Sequence, residues 1–131
     1  LTLSPGNEHL VITAPFTIRP QKPLDPKIAR VGARTIRYIA PVPSGQTVMS
    51  LIDGYGPSAR DYDFTVTNTM TGFGQQIRGD QPIVKINMWS IDRTYSLEPY
   101  VAISLKPGET KRWTYTYDYF GRGDRQAGGK P

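Results

Sequence analysis

From Trp113 to Tyr119 the chain alternates a ring with a polar residue. Trp113, Tyr115, Tyr117 and Tyr119 share one parity, and Arg112, Thr114, Thr116 and Asp118 share the other. Side chains that repeat every second residue share one face of an extended strand, whereas helical winding would scatter them. Just upstream, Pro107 presets φ at the first corner of a tight turn, and Gly108 can take the positive φ that a type II turn requires. Tyr100–Phe120 therefore reads as a hairpin with four rings along one face. That face is expected to pack inward between two sheets, so that Trp113→Ala would cost about 3–5 kcal/mol. The Arg112–Asp118 face is expected to meet solvent or a partner.

The rest of the chain supports the same architecture. Thr35–Ala40, Thr47–Ile52, Tyr62–Asn68 and Ile83–Trp89 are short runs, apolar or alternating, bounded by turn residues. Leu10–Ile18 alternates loosely and contains Pro15, which suits an edge or a bulged strand. With 13 Gly and 12 Pro among 131 residues, long helices have little room. The predicted fold is all-β, an antiparallel sandwich of about seven to eight strands. At most one short helix is expected, near 26–34, where Asp25 can serve as N-cap and Pro26 suits the first helical position. Residues 1–120 read as one domain, and 121–131, rich in Gly and charge, as a flexible tail. A chain opening on Leu1 is expected of a processed product or of a piece of a longer protein.

Sixteen Lys and Arg against 11 Asp and Glu give a net charge of +5. Four of the cations, Lys27, Arg30, Arg34 and Arg37, fall in one stretch that could meet phosphates or acidic sugars. Nothing in that stretch interleaves aromatics with the charge, so nucleic acid is the weaker partner class there. Without cysteine the chain has no thiol nucleophile and no thiolate metal site. His9 is the sole histidine, and no phosphate-cradling glycine loop precedes a helix pattern. No catalytic residue, metal or cofactor is assigned, and no apolar run reaches the length of a membrane span. Arg-Gly-Asp occurs at 78–80, where a hairpin turn is expected, and again at 122–124 in the tail. In both places it fits ordinary turn or tail chemistry better than receptor recognition.

Flat rings beside polar side chains suit the apolar face and the hydroxyls of a sugar. Trp89, Tyr95, Tyr100 and Trp113 are the aromatics nearest polar turn residues, and the first three with Glu98 form the candidate ligand site. The run Asn68-Thr69-Met70-Thr71-Gly72, then Ile77–Pro82, Trp89-Ser90, Glu98-Pro99-Tyr100, Pro107-Gly108-Glu109 and Trp113 to Tyr117 resembles the C-terminal part of galactose mutarotase-like proteins. That likeness spans Tyr62–Phe120 and implies a β-supersandwich that handles carbohydrate. Epimerase chemistry in that family relies on histidines and a glutamate. His9 lies outside the matching region, so the resemblance implies a severed piece or a module without that catalysis.

Three readings follow. The first is a non-catalytic carbohydrate-associated β-sandwich. The second is a self-assembling structural subunit, of a capsid, decoration or filament kind, that exchanges an N-terminal strand with copies of itself. The third is a fragment of a sugar-active enzyme. An extracellular, periplasmic or virion setting suits the first two.

Overall fold

The structure is a computed structural model, and it describes residues 6–123. Ten strands follow in chain order: β1 Leu10–Thr13, β2 Arg19–Pro20, β3 Ala29–Val31, β4 Thr35–Tyr38, β5 Val48–Asp53, β6 Asp63–Asn68, β7 Gly74–Gly79, β8 Lys85–Ile91, β9 Thr94–Tyr100 and β10 Tyr115–Phe120. One turn of 3-10 helix, Ala59–Asp61, precedes β6, capped by the Ser58 hydroxyl, which accepts from the Arg60 amide. The strands form two antiparallel sheets, one of six in the order β10-β7-β6-β1-β4-β3 and one of four in the order β2-β5-β8-β9. An all-β sandwich is thus the fold, with the short strands β2 and β3 raising the number above the expected seven or eight.

Alternation explains which residues enter the core. Along β6, Phe64 and Val66 are buried between half-exposed threonines, and along β8, Ile86, Met88 and Ser90 point inward. A chain of rings crosses the interior. Tyr55, Phe16, Phe64 and Tyr62 meet edge to face at 6.0 Å in each step, and Tyr62 stacks on Tyr115 at 5.2 Å. Tyr38 and Ser90, both fully buried, share a 2.6 Å hydrogen bond between the sheets. Two glycines are dictated by geometry. Gly54 has φ +117°, and a Cβ there would lie 1.9 Å from the Thr17 carbonyl oxygen. At Gly79 a Cβ would meet the Tyr62 ring at 2.6 Å, so the glycine lets that ring lie against β7.

Three expectations are corrected. First, Tyr100–Phe120 is not a hairpin. The turn forms, with Gly108 at φ +84° and the Glu109 amide donating to the Lys106 carbonyl, but β10 pairs with β7 in the other sheet. The connection 101–114 leaves one sheet and enters the other, and 102–114 are exposed throughout. Second, the aromatic stripe is not the inner core. Tyr117 lies opposite Ile77 and so faces the interior side, yet it is 51% exposed, Tyr119 is 73% exposed and Trp113 is 41% exposed. The six-stranded sheet is wider than the four-stranded one, and β10 overhangs it; only Tyr115 reaches the core.

Third, β1 is not an edge strand. It is paired on both sides, with β4 and with β6, and Pro15 lies past its end at Thr13. An exchange of Leu10–Thr13 with another copy would have to break both pairings. The helix allowed at 26–34 does not form, and a single turn stands in its place. Asp25 does cap a turn, accepting from the Lys27 amide at its side chain and from Ile28 and Ala29 at its carbonyl. The chain then enters β3, because pairing with β4 supplies the hydrogen bonds a helix would have made internally. Of the expected tail, 124–131 lie outside the described residues. Among the described residues no helix is long and apolar enough to cross a membrane.

Candidate functional site

The outer face of the four-stranded sheet gathers polar and aromatic side chains around one carboxylate. Register sets this arrangement: Lys85 lies opposite Tyr100, Asn87 opposite Glu98 and Trp89 opposite Ser96. Since Met88 and Ile86 point inward, the odd-numbered residues of β8 and their partners on β9 share the outer face. Next to them on β5, Met49 lies opposite Trp89 and Leu51 opposite Asn87.

Glu98 is the node. Its Oε1 accepts from Trp89 Nε1 at 2.8 Å and from Ser96 Oγ at 3.0 Å. Its Oε2 accepts from Asn87 Nδ2 at 3.1 Å and from the Tyr100 hydroxyl at 3.3 Å. The Trp89 donor, followed by Asn87, holds the Glu98 carboxyl below the ordinary carboxylate range. In turn, the Glu98 charge raises the Tyr100 phenol. Lys85 places its ammonium over the Tyr100 ring, 4.2 Å from the centroid, a cation–π contact on one face of this ring.

This network costs conformational freedom that a solvated carboxylate does not need to give up. What it yields is order. The Trp89 indole, the Tyr100 phenol and the Asn87 amide are each tied to one rotamer on an open sheet face. Such a face can stack a flat apolar surface on its rings and offer an ionised acceptor beside them.

The structure brings together three of the four sequence-predicted ligand residues, Trp89, Glu98 and Tyr100. Tyr95 is separated from them. It lies on the inner face of β9, is 2% exposed, and meets Tyr38 edge to face at 6.4 Å. Parity places it there: Tyr95 is an odd residue between the outward Ser96 and Thr94. Asn87, Ser96 and Lys85 were not anticipated as members, because only the β8–β9 register discloses that they neighbour Glu98. Their alternation with Ile86 and Met88 was visible, but which side faced out was not.

The basic residues sit far from this face in the topology, on the last strands of the other sheet. Arg30 of β3 lies opposite Arg37 of β4, both exposed, while Lys27 and Arg34 occupy the turns that flank β3. The first Arg-Gly-Asp triplet runs out of the end of β7, and Arg78 is engaged with Asp118 of β10. It is not presented on a loop tip. Of the second triplet, Asp124 lies outside the described residues.

Beside the site, Tyr95, Leu97 and Pro99 of β9 face Ile77 and Gln75 of β7, Tyr62, and Tyr117 of β10 across a cleft of about 120 Å³. Among the described residues no group of three His, Cys, Asp or Glu side chains could hold a metal ion. Comparison with known proteins gives no match to this chain among family models, curated proteins or solved structures.

Proposed function

We propose that the outer face of β8 and β9 binds carbohydrate without transforming it. The observation that carries this reading is the convergence of four side-chain donors on Glu98, which holds a half-exposed indole and an exposed phenol on either side of an ionised carboxylate. Sugar hydroxyls donate well to a carboxylate, and the C–H face of a pyranose stacks on flat rings. The likeness of Trp89-Ser90 and Glu98-Pro99-Tyr100 to mutarotase-like proteins supports the same ligand class.

The test uses the two tryptophans. With Trp113→Phe as background, Trp89 becomes the only indole, and its emission is followed while neutral and acidic oligosaccharides are added. Binding is expected to shift and quench that emission. Glu98→Gln should weaken it about tenfold or more, since it replaces charged hydrogen bonds by neutral ones. A glycan panel that leaves Trp89 emission unchanged throughout overturns the proposal.

A further inference from the structure

We infer that β10 is a self-pairing edge, through which two copies of the chain join their six-stranded sheets into one continuous sheet. A free sheet edge invites another strand unless it is short, charged, interrupted by proline or covered. Three of the four edges here are managed in this way. β2 has two residues, one of them Pro20. β3 has three, with Arg30 in the middle. β9 carries Pro99. Among the described residues the fourth, β10, has none of these devices along Tyr115–Tyr119. Its sequence is Tyr-Thr-Tyr-Asp-Tyr-Phe, six residues of high strand propensity, and its one charge, Asp118, pairs within the sheet with Arg78 yet stays 51% exposed, so that it can meet a second cation.

The backbone of β10 is directed suitably. The Thr114 carbonyl accepts from the Asp80 amide on the β7 side. Alternation then turns the amides and carbonyls of Thr116 and Asp118 toward β7, and those of Tyr115, Tyr117 and Tyr119 toward the edge. Among the described residues no strand pairs there. The overhang leaves room as well. The four-stranded sheet ends at β9, whose Leu97 and Pro99 share a cleft with Tyr117, and Tyr117 and Tyr119 stay 51% and 73% exposed, so little of that layer stands in the way of a second copy.

Charge selects the occupant and its register. A two-fold axis through Tyr115 sets Trp113 opposite Tyr117 of the second copy, Thr114 opposite Thr116, Lys111 opposite Tyr119, and Arg112 opposite Asp118. Rings meet rings on one face, and opposite charges meet on the other. An axis through Asp118 would set that carboxylate against itself, and one through Tyr117 would set Arg112 against Arg122. The descending limb of the 101–114 connection thus finds a strand partner in the second copy, where among the described residues only Thr114 bonds across to Asp80.

Cross-linking tests this directly, because the chain has no native cysteine. Thr114→Cys and Thr116→Cys proteins are prepared separately and oxidised alone and mixed. Facing positions in an antiparallel pair fall within disulfide reach. The expected result is a disulfide-linked dimer in the mixture and little in either protein alone. Sedimentation equilibrium supplies the second readout. Arg112→Asp, at an exposed position, should weaken dimerisation about tenfold or more, and Arg112→Asp with Asp118→Arg should restore it. Tyr117→Pro removes an outward amide together with the ring set opposite Trp113, leaves the bonds to β7 in place, and should weaken it comparably. A wild-type chain that sediments as a monomer at about 100 µM, a range that covers all but the weakest specific pairs, overturns the inference. So does a dimer indifferent to Arg112→Asp, or a mixture that forms no mixed disulfide.

Discussion

Two clusters of tyrosine in this molecule arise from the same alternating pattern and end in opposite environments. Tyr38 and Tyr95 meet edge to face in the middle of the sandwich and are closed over by both sheets. Tyr117 and Tyr119, on β10, face the same interior side but are not closed over: Tyr117 meets β9 only across a cleft and is 51% exposed, and Tyr119 is 73% exposed. The difference does not lie in the local sequence, since both clusters follow period-two alternation. It lies in the unequal width of the layers, six strands over four. Burial, and with it the stabilisation each ring contributes, is decided by the sheet opposite.

The comparison breaks most sharply at the centre. Phe64 is 2% exposed and joins Phe16 to Tyr62 in the aromatic chain across the core. Phe64→Ala should destabilise the domain by about 3–5 kcal/mol. Denaturant unfolding reads that loss as a lowered midpoint, and a shift equivalent to less than about 1 kcal/mol would place the core elsewhere.

Alkaline pH separates the two clusters by a smaller step. Burial raises the Tyr38 phenol, with the Ser90 hydrogen bond opposing in part, and raises Tyr95 well above its ordinary value. Tyr62 is raised by burial and by its neighbours Tyr115 and Tyr117. A phenol with a raised folded pKa favours the fold in full below its unfolded value. It withdraws that stability as pH climbs from there toward the folded value. The penalty is about 1.4 kcal/mol per phenol for each pH unit above an unfolded value near 10. These three phenols should therefore ionise together with loss of near-ultraviolet dichroism, not before it. Phenolate absorbance reaching its full amplitude while the dichroism persists would show that the interior is open to hydroxide.

These contrasts mark how far the sequence could be read. Alternation along Tyr62–Asn68 and Ile83–Trp89 was legible because strand parity is local, and so was the turn at Gly108, where the backbone itself demands glycine. Partner choice was not legible. Tyr100–Phe120 has hairpin chemistry in every residue, yet β10 joins β7, through a register that depends on Gly79 admitting the Tyr62 ring. The same holds at the candidate site. Trp89, Glu98 and Tyr100 stood out as residue types, and Tyr95 seemed equivalent to them. Only the β8–β9 pairing shows that Tyr95 faces away and that Asn87 and Ser96 belong. β3 was missed because Asp25-Pro26 begins a helix as readily as a turn, and three residues are too few to display a period.

The smallest effect sharpens the comparison furthest. Trp113 and Tyr119 carry the same apolar area as core rings, and a reading based on composition would assign them a core ring's worth of stability. Tyr119, 73% exposed, has little transfer energy to lose, while Trp113, 41% exposed, has part of a core ring's. Tyr119→Ala should change the unfolding free energy by no more than about 0.5 kcal/mol, and Trp113→Ala by clearly less than the about 3–5 kcal/mol of a core ring, when measured at a concentration where the chain is monomeric. Raising the protein concentration converts the null into a signal if β10 pairs with its copy, because a folded dimer stabilises the fold by mass action and loss of either ring weakens that pairing. A stability loss of several kcal/mol at low concentration would mean that these rings are covered within a single chain. The overhang of six strands over four would then not be the reason the two tyrosine clusters differ.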